Sequence, residues 1–159
     1  MKLDLGCGQK PREGYTGVDL CEGAEVQCDM TVLPEEWEGS VDEIICIHAF
    51  EHLSYRQADD ALLEWRRVLK DGGTLAIEVP DLKQACLSFL KDENNLTYGI
   101  GRLYGPQWED GGLLGVHKSG WTPRLLSNTL GHAGFKNIKQ TKAQFHKREP
   151  HDFRMEATK

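Results

Sequence analysis

The sequence predicts an α/β fold, a mostly parallel sheet with helices packed against it, and three observations carry that prediction. The apolar run Leu3-Asp4-Leu5 stops at Gly6-Cys7-Gly8, the pattern of a buried parallel strand feeding a loop where the backbone passes close to a ligand. Ile44-Ile45-Cys46-Ile47, inside the most apolar stretch of the chain (41–48), reads as the central strand. Between Leu3 and residue 90, runs of strand length alternate with crossovers, which implies parallel pairing.

Taken in order, the first strand and its glycine pair are followed eleven residues beyond Gly8 by Asp19, the acid near the end of a second run at 15–20. A nucleotide site at the carboxyl ends of neighbouring parallel strands needs these parts: glycines where a side chain would collide with the ligand, and a carboxylate that accepts both ribose hydroxyls. Between them, Gln9-Lys10-Pro11-Arg12-Glu13-Gly14 holds at most one helical turn, so the first crossover helix is shortened or absent. Residues 24–28 read as a third strand, closed by Asp29-Met30, and Leu33-Pro34-Glu35-Glu36-Trp37 as a single turn.

Ser54-Tyr55-Arg56-Gln57 fits a capping box, and Ala58, Ala61, Leu62, Trp65, Val68 and Leu69 then recur at helical spacing until Asp71-Gly72-Gly73. Trp65 is read as core. Residues 74–79 form a fifth strand ended by Pro80, and Asp81 caps a helix whose buried side is Leu82, Ala85, Cys86, Phe89 and Leu90. From 92 to 121 the periodicity disappears and glycines and aromatics take over, among them Tyr98, Tyr104, Trp108, Gly111, Gly112 and Trp121, as in a substrate loop or lid. Thr122-Pro123 opens a short helix with Leu125, Leu126 and Leu130. Residues 135–144 and 153–158 then form an antiparallel hairpin at the sheet edge, with Lys136, Lys139, Lys142, Lys147 and Arg148 as a solvated face.

At 159 residues the chain is read as one domain, 1–159. A net charge of -6 argues against general affinity for nucleic acid or anionic membrane and favours a small-molecule substrate. No run reaches the roughly 20 apolar residues of a membrane span and no leader is evident, which points to the cytoplasm. Cys7, Cys21, Cys28, Cys46 and Cys86 include no C-x-x-C pair and are expected to be reduced and structural. Oligomeric state is not readable from these features.

Together, Leu3-Asp4-Leu5-Gly6-Cys7-Gly8, Val18-Asp19-Leu20, Cys28-Asp29-Met30, Val41-Asp42-Glu43-Ile44-Ile45, Glu51-His52-Leu53, Arg67-Val68-Leu69-Lys70-Asp71-Gly72-Gly73-Thr74-Leu75 and Gly134-Phe135 resemble the class I S-adenosylmethionine-dependent methyltransferases. The flavour is that of the short, small-molecule and glycan-associated group, similar in its middle part to quinone-pathway methyltransferases. The resemblance implies a Rossmann-like sheet of seven strands, order 3-2-1-4-5-7-6 with the last strand antiparallel, and S-adenosyl-L-methionine as cofactor. By position it implies that Gly6 and Gly8 line the methionine part, with Cys7 between them and Asp4 ordering its amino group. It implies also that Asp19, with Leu20 beside it, holds the ribose, that Asp29 and Met30 flank the adenine, and that His48 lies beside the transferable methyl. The chain departs from the family pattern in carrying Lys10 where a third glycine is common, in the missing room for a first helix, and in having nothing before the first strand.

Three rival readings come from other classes. His48-Ala49-Phe50-Glu51-His52 matches H-x-x-E-H, a zinc-hydrolase pattern, but it follows a buried strand and precedes a helix cap, and no third ligand is evident, so no metal is expected. A nicotinamide-binding domain would want G-x-G-x-x-G and an acid further on than Asp19. A protein that binds the methionine cofactor without catalysis needs no other residues, because methyl transfer asks little beyond alignment. For an oxygen acceptor a base is needed, and His48, His52 and His117 are the candidates, of which His48 and His117 are taken as catalytic. Tyr104, His117 and Trp121 are the candidates for the acceptor pocket. The absence of an Asn-Pro-Pro-Tyr type element after the central strand leans the reading toward oxygen on a sugar or other metabolite.

Overall fold

The structure, a computed structural model, describes residues 1–105, 115–145 and 150–159. Trp108, Gly111 and Gly112 of the aromatic-rich segment, and Lys147 and Arg148 of the hairpin, lie outside the described residues. In chain order the strands are β1 (Lys2–Leu5), β2 (Thr16–Asp19), β3 (Val26–Gln27), β4 (Val41–Ile47), β5 (Leu69–Pro80), β6 (Lys136–Thr141) and β7 (Asp152–Thr158). They form one sheet ordered β3-β2-β1-β4-β5-β7-β6, with β1 to β5 parallel and β7 antiparallel to both of its neighbours. This is the expected Rossmann-like topology, and β3 is shorter than the run at 24–28 suggested.

Register sets up the site. Leu5 of β1 lies opposite Val18 of β2 and Cys46 of β4. The three strands therefore end side by side, and Gly6, Asp19 and His48 emerge from one edge of the sheet.

Alternation along β4 divides the core. Ile44 and Cys46 join the main apolar cluster with Leu3, Leu5 and Phe50, while Ile45 and Ile47 join Ala76 and Tyr15 on the opposite face. Helix α1 (Tyr55–Val68) carries Ala58, Ala61, Leu62, Trp65 and Val68 into the main cluster, the spacing that its sequence predicts. Its start is the expected capping box: Ser54 Oγ accepts from the Gln57 backbone N–H, and the Gln57 side chain accepts from that of Ser54. Its end differs from expectation, because Leu69 is already extended and Asp71-Gly72-Gly73 belongs to the start of β5.

Helix α2 (Leu82–Lys91) is capped by Asp81, which accepts from the Lys83 N–H, but of its expected apolar face only Ala85 is buried. Leu90 is 75% exposed. The segment after it, read as irregular, contains a π-helical turn, Leu96–Ile100, and a short α3 (Gly101–Tyr104). Thr122 caps α4 (Pro123–His132) with Pro123 in its first turn, as predicted, and Leu126 and Leu130 enter the main cluster.

The crossover from β1 to β2 contains no helix, and an ion pair between buried Asp4 and partly exposed Arg12 holds it instead. Asp4 is fully buried, and both its oxygens accept from Arg12 Nη1, at 3.0 and 2.8 Å, while Oδ2 also accepts from the Arg12 backbone N–H at 2.9 Å. The loop presses close on β2: a Cβ built on Gly17 would lie 2.7 Å from Pro11 Cβ and 2.8 Å from Cys7 Sγ, so no larger residue fits there.

Candidate functional site

A cavity of about 350 Å³ opens at the carboxyl edge of β1, β2 and β4. Its walls are the glycine loop (Gly6, Gly8), the end of β2 (Asp19, Leu20), the turn after β3 (Cys28, Asp29, Met30), and the turn after β4 (His48, Ala49, His52, Leu53), with Gln57 and Lys118 completing them. The sheet thus brings Gly6, Gly8, Asp19, Leu20, Asp29, Met30 and His48 together. Asp4 and Cys7 are not among its lining residues. Asp4 is committed to Arg12, and Cys7 donates to the Gly8 carbonyl at 3.2 Å, with burial pushing its thiol up to about 11.

The two glycines differ in what they are for. Gly6 has φ +71°, and a Cβ built on it would lie 2.3 Å from Ala49 Cβ, so this glycine permits the close packing of the β1 and β4 loops. Gly8, at φ +64°, would meet no atom within 4 Å, so the space beside it is open. Its backbone N–H donates to Asp19 Oδ2 at 2.8 Å, and Asp19 Oδ1 accepts from Cys21 N–H at 2.9 Å. The Asp19 carboxylate is thereby fixed at the cavity wall, and each oxygen keeps a further lone pair. Asp29 Oδ1 accepts from both the backbone and the hydroxyl of Thr31, which shapes the turn that presents Met30. Trp65 Nε1 donates to the Met30 carbonyl at 2.7 Å, anchoring that turn to α1.

His48 follows β4 in the left-handed region, at φ 51°, a conformation that costs a non-glycine residue on the order of 1–2 kcal/mol. Its backbone N–H donates to the Glu78 carbonyl at 2.9 Å. Its ring lies between two buried carboxylates, with Nδ1 3.3 Å from Glu51 Oε1 and Nε2 3.5 Å from Asp152 Oδ2. Burial works against the charged ring, but hydrogen bonds and attraction from Asp152 and Glu51 prevail and raise its pKa to about 9. Asp152 is paired on its other oxygen with Arg102.

Residues 115–121 of the predicted lid run along the turn Phe50–His52, where the Lys118 and Ser119 N–H groups donate to the Glu51 carbonyl at 2.9 and 3.1 Å. This brings His117 against Glu51 and His52: the two histidine rings meet edge to face at 5.1 Å, and His117 Nε2 lies 3.9 Å from Glu51 Oε1. Burial lowers the His117 pKa. Burial would raise that of Glu51, but the three surrounding histidines hold it below the usual carboxylate range. Trp121 is 1% exposed, packs on Phe50 and Tyr55, and donates from its indole to Ser119 Oγ at 2.8 Å. It is a core residue rather than a cavity wall, and Tyr104, 59% exposed, does not line the cavity either.

Sequence reasoning missed Cys28, Ala49, Leu53, Gln57 and Lys118 as cavity residues, and read His52 as part of a zinc pattern and as a candidate base rather than as part of the wall. Leu53 stands in the sequence as part of the Glu51-His52-Leu53 resemblance and Gln57 as part of a capping box, neither of which marks a cavity wall, and Lys118 lies in a stretch without periodicity, where sequence carries no signal for a contact to Glu51.

Residues 3–77 match the family model described as a methyltransferase domain. Among solved structures, the chain is similar to an S-adenosylmethionine-dependent methyltransferase from Archaeoglobus fulgidus, with TM-score 0.65 and 17% identity over 99% of this chain and 85% of that one. It is similar also to the Burkholderia thailandensis 1,6-didemethyltoxoflavin-N1-methyltransferase, solved with 1,6-didemethyltoxoflavin and S-adenosylhomocysteine bound, with TM-score 0.67, 20% identity, and coverage of 99% and 70%. An S-adenosylmethionine-dependent methyltransferase from Methanosarcina mazei gives TM-score 0.66 and 16% identity over 99% and 91%. No curated protein matches the sequence. Family model and fold agree: residues 3–77 match a methyltransferase domain, and the sheet has the fold of the S-adenosylmethionine-dependent methyltransferases that the motifs resemble.

Proposed function

We propose that the chain transfers a methyl group from S-adenosyl-L-methionine to an oxygen of a small molecule or sugar. The observation that carries the reading is the Gly8–Asp19 hydrogen bond, which fixes an acid with spare lone pairs beside open space in a cavity otherwise walled by Leu20, Met30, Ala49 and Leu53. These residues fit the cofactor: a carboxylate for its hydroxyls, apolar walls for its base, and glycine backbone where its chain must pass. Asp19 would hold the ribose, Asp29 and Met30 the adenine side, and Gly6 and Gly8 the methionine side, with His48 nearest the methyl.

The cofactor, when bound, supplies a methyl group activated by a sulfonium. The chain's own work is to hold the acceptor oxygen in line with that methyl and to keep water out. Transfer to a hydroxyl would also release the acceptor's proton, which groups of this chain would have to accept or pass to solvent. His48, placed between two carboxylates and charged at neutral pH, acts as a donor that orders Glu51 and Asp152 rather than as a base. The cluster of Glu51, His52 and His117 is the better place for an acceptor hydroxyl and its proton. Of the expected lid, residues 115–121 are assigned to the acceptor side of the cavity, which Lys118 reaches. A small-molecule substrate accords with that of the Burkholderia protein.

Incubating the purified chain with cofactor and panels of hydroxylated metabolites and sugars, with mass spectrometry for the methylated product, tests this reading. A product methylated at oxygen is expected. Products methylated only at nitrogen would overturn the choice of atom.

A further inference from the structure

The cluster beside the cavity has a geometry that a proton relay alone does not explain. Glu51 and His52 close the turn after β4, His117 comes from the segment laid across it, and one ligand-capable atom from each lies within 4.8 Å of the other two. The two imidazoles are set in the same way. His52 Nδ1 lies 3.0 Å from the Val116 carbonyl, and His117 Nδ1 lies 2.9 Å from the Arg102 carbonyl. A carbonyl oxygen only accepts, so each Nδ1 carries a hydrogen and each neutral ring keeps its lone pair on Nε2.

That leaves the His117 lone pair facing the Glu51 carboxylate at 3.9 Å, a pairing of two acceptors. Glu51 is 2% exposed, its Oε1 is engaged by His48, and its Oε2 has no hydrogen-bond partner among the described residues. A buried carboxylate oxygen without a partner is costly, and in their neutral form the two imidazoles offer it only lone pairs. A cation among the three groups satisfies all of them. Histidines that ligate metals characteristically donate their other ring N–H to a carbonyl or carboxylate, which fixes tautomer and orientation, and here both do so.

We infer that Glu51, His52 and His117 form a divalent-cation site, with two Nε2 atoms and one carboxylate oxygen as ligands. Two imidazoles and a carboxylate suit zinc or the neighbouring first-row ions such as cobalt and manganese, and leave coordination positions open. The arrangement is not the H-x-x-E-H hydrolase pattern weighed from the sequence. His48 is turned to Glu51 and Asp152, and the second imidazole comes from His117, 65 residues beyond His52. His48 instead orients Glu51 by holding its Oε1. Because His52 also lines the cavity, the cation stands at its wall. Its role, which rests on the proposed methyl transfer, is to bind an acceptor hydroxyl and lower its pKa, so that the proton passes to solvent before the oxygen attacks.

The test uses the full chain without a histidine tag, treated with a chelator, dialysed, and titrated with cobalt(II) by visible absorption and with manganese(II) by calorimetry, in the absence of any methyl donor. One saturable equivalent is expected, weakened at least about tenfold in Glu51→Gln and His117→Gln and unchanged in His132→Gln, whose side chain is exposed on α4. Should a ligand variant fail to fold, zinc titration of the wild type followed by histidine NMR decides: the His52 and His117 ring signals shift together and that of His132 does not. Absence of saturable binding, binding untouched by both ligand substitutions, or shifts confined to other histidines overturns the site. Binding of metal by a chain that does not bind the methionine cofactor supports the site and overturns the methyltransferase reading alone. Cofactor binding without metal binding does the reverse.

Discussion

Gly8 donates its backbone N–H to Asp19 Oδ2 at 2.8 Å, so the glycine loop after β1 and the acid at the end of β2 are a single unit before any ligand arrives. Preorganisation of this kind means that the carboxylate serves both the loop and the proposed ribose contact. Asp19→Ala should weaken S-adenosylhomocysteine binding by about 1–3 kcal/mol, the scale of losing hydrogen bonds to a charged acceptor. Calorimetry checks this, and an unchanged dissociation constant in a folded variant would remove Asp19 from the site.

The two glycines of the loop should fail differently. In Gly6→Ala the new Cβ meets Ala49 at 2.3 Å, so the main loss is stability, visible as a lowered denaturation midpoint. In Gly8→Ala the new Cβ meets nothing, so stability falls only by the roughly 1–2 kcal/mol of a left-handed backbone, while cofactor affinity falls because the methyl occupies open cavity space. Denaturation and binding measured on both variants separate the cases, and equal losses in both quantities would contradict the assignment.

Arg12→Ala leaves Asp4 charged and fully buried with only a backbone donor, and should destabilise the fold by about 3–5 kcal/mol. Adding Asp4→Asn to that variant should restore part of the loss by removing the unpaired charge. Urea denaturation of the single and double variants is the measurement, and a double variant no more stable than Arg12→Ala would argue against the ion pair as the anchor of the helix-free crossover.

His117→Ala should depress methyl transfer strongly while changing cofactor affinity by less than about tenfold, or 1.4 kcal/mol, because His117 is absent from the cavity lining. Trp121→Ala should instead cost about 3–5 kcal/mol of stability, as for a large buried aromatic. Turnover at the wild-type rate in His117→Ala would take that residue out of the mechanism.

Legibility in the sequence followed the range of the interactions. The glycine loop, the capping box of α1 and the cap-proline start of α4 are local, and each stands where its residues predict. The face of α2 was misjudged because a period reveals an apolar stripe but not what covers it: Leu82, Cys86, Phe89 and Leu90 keep the helical spacing, yet only Ala85 is buried. Asp4 looked like a ligand residue because it sits beside the glycines, and only the fold shows Arg12 returning to claim both its oxygens. Lys118 and Ser119 reach Glu51 through backbone hydrogen bonds across more than 60 residues of chain and set His117 beside it, a pairing that no local pattern records.

The central claim is that the cavity at the ends of β1, β2 and β4 takes the methionine cofactor, and calorimetric titration of the wild-type chain with S-adenosylhomocysteine and, separately, with NAD tests it most directly. The account predicts one saturable site for S-adenosylhomocysteine, weakened by Asp19→Ala, and no comparable response to NAD. Tight binding of NAD with no response to S-adenosylhomocysteine would contradict it.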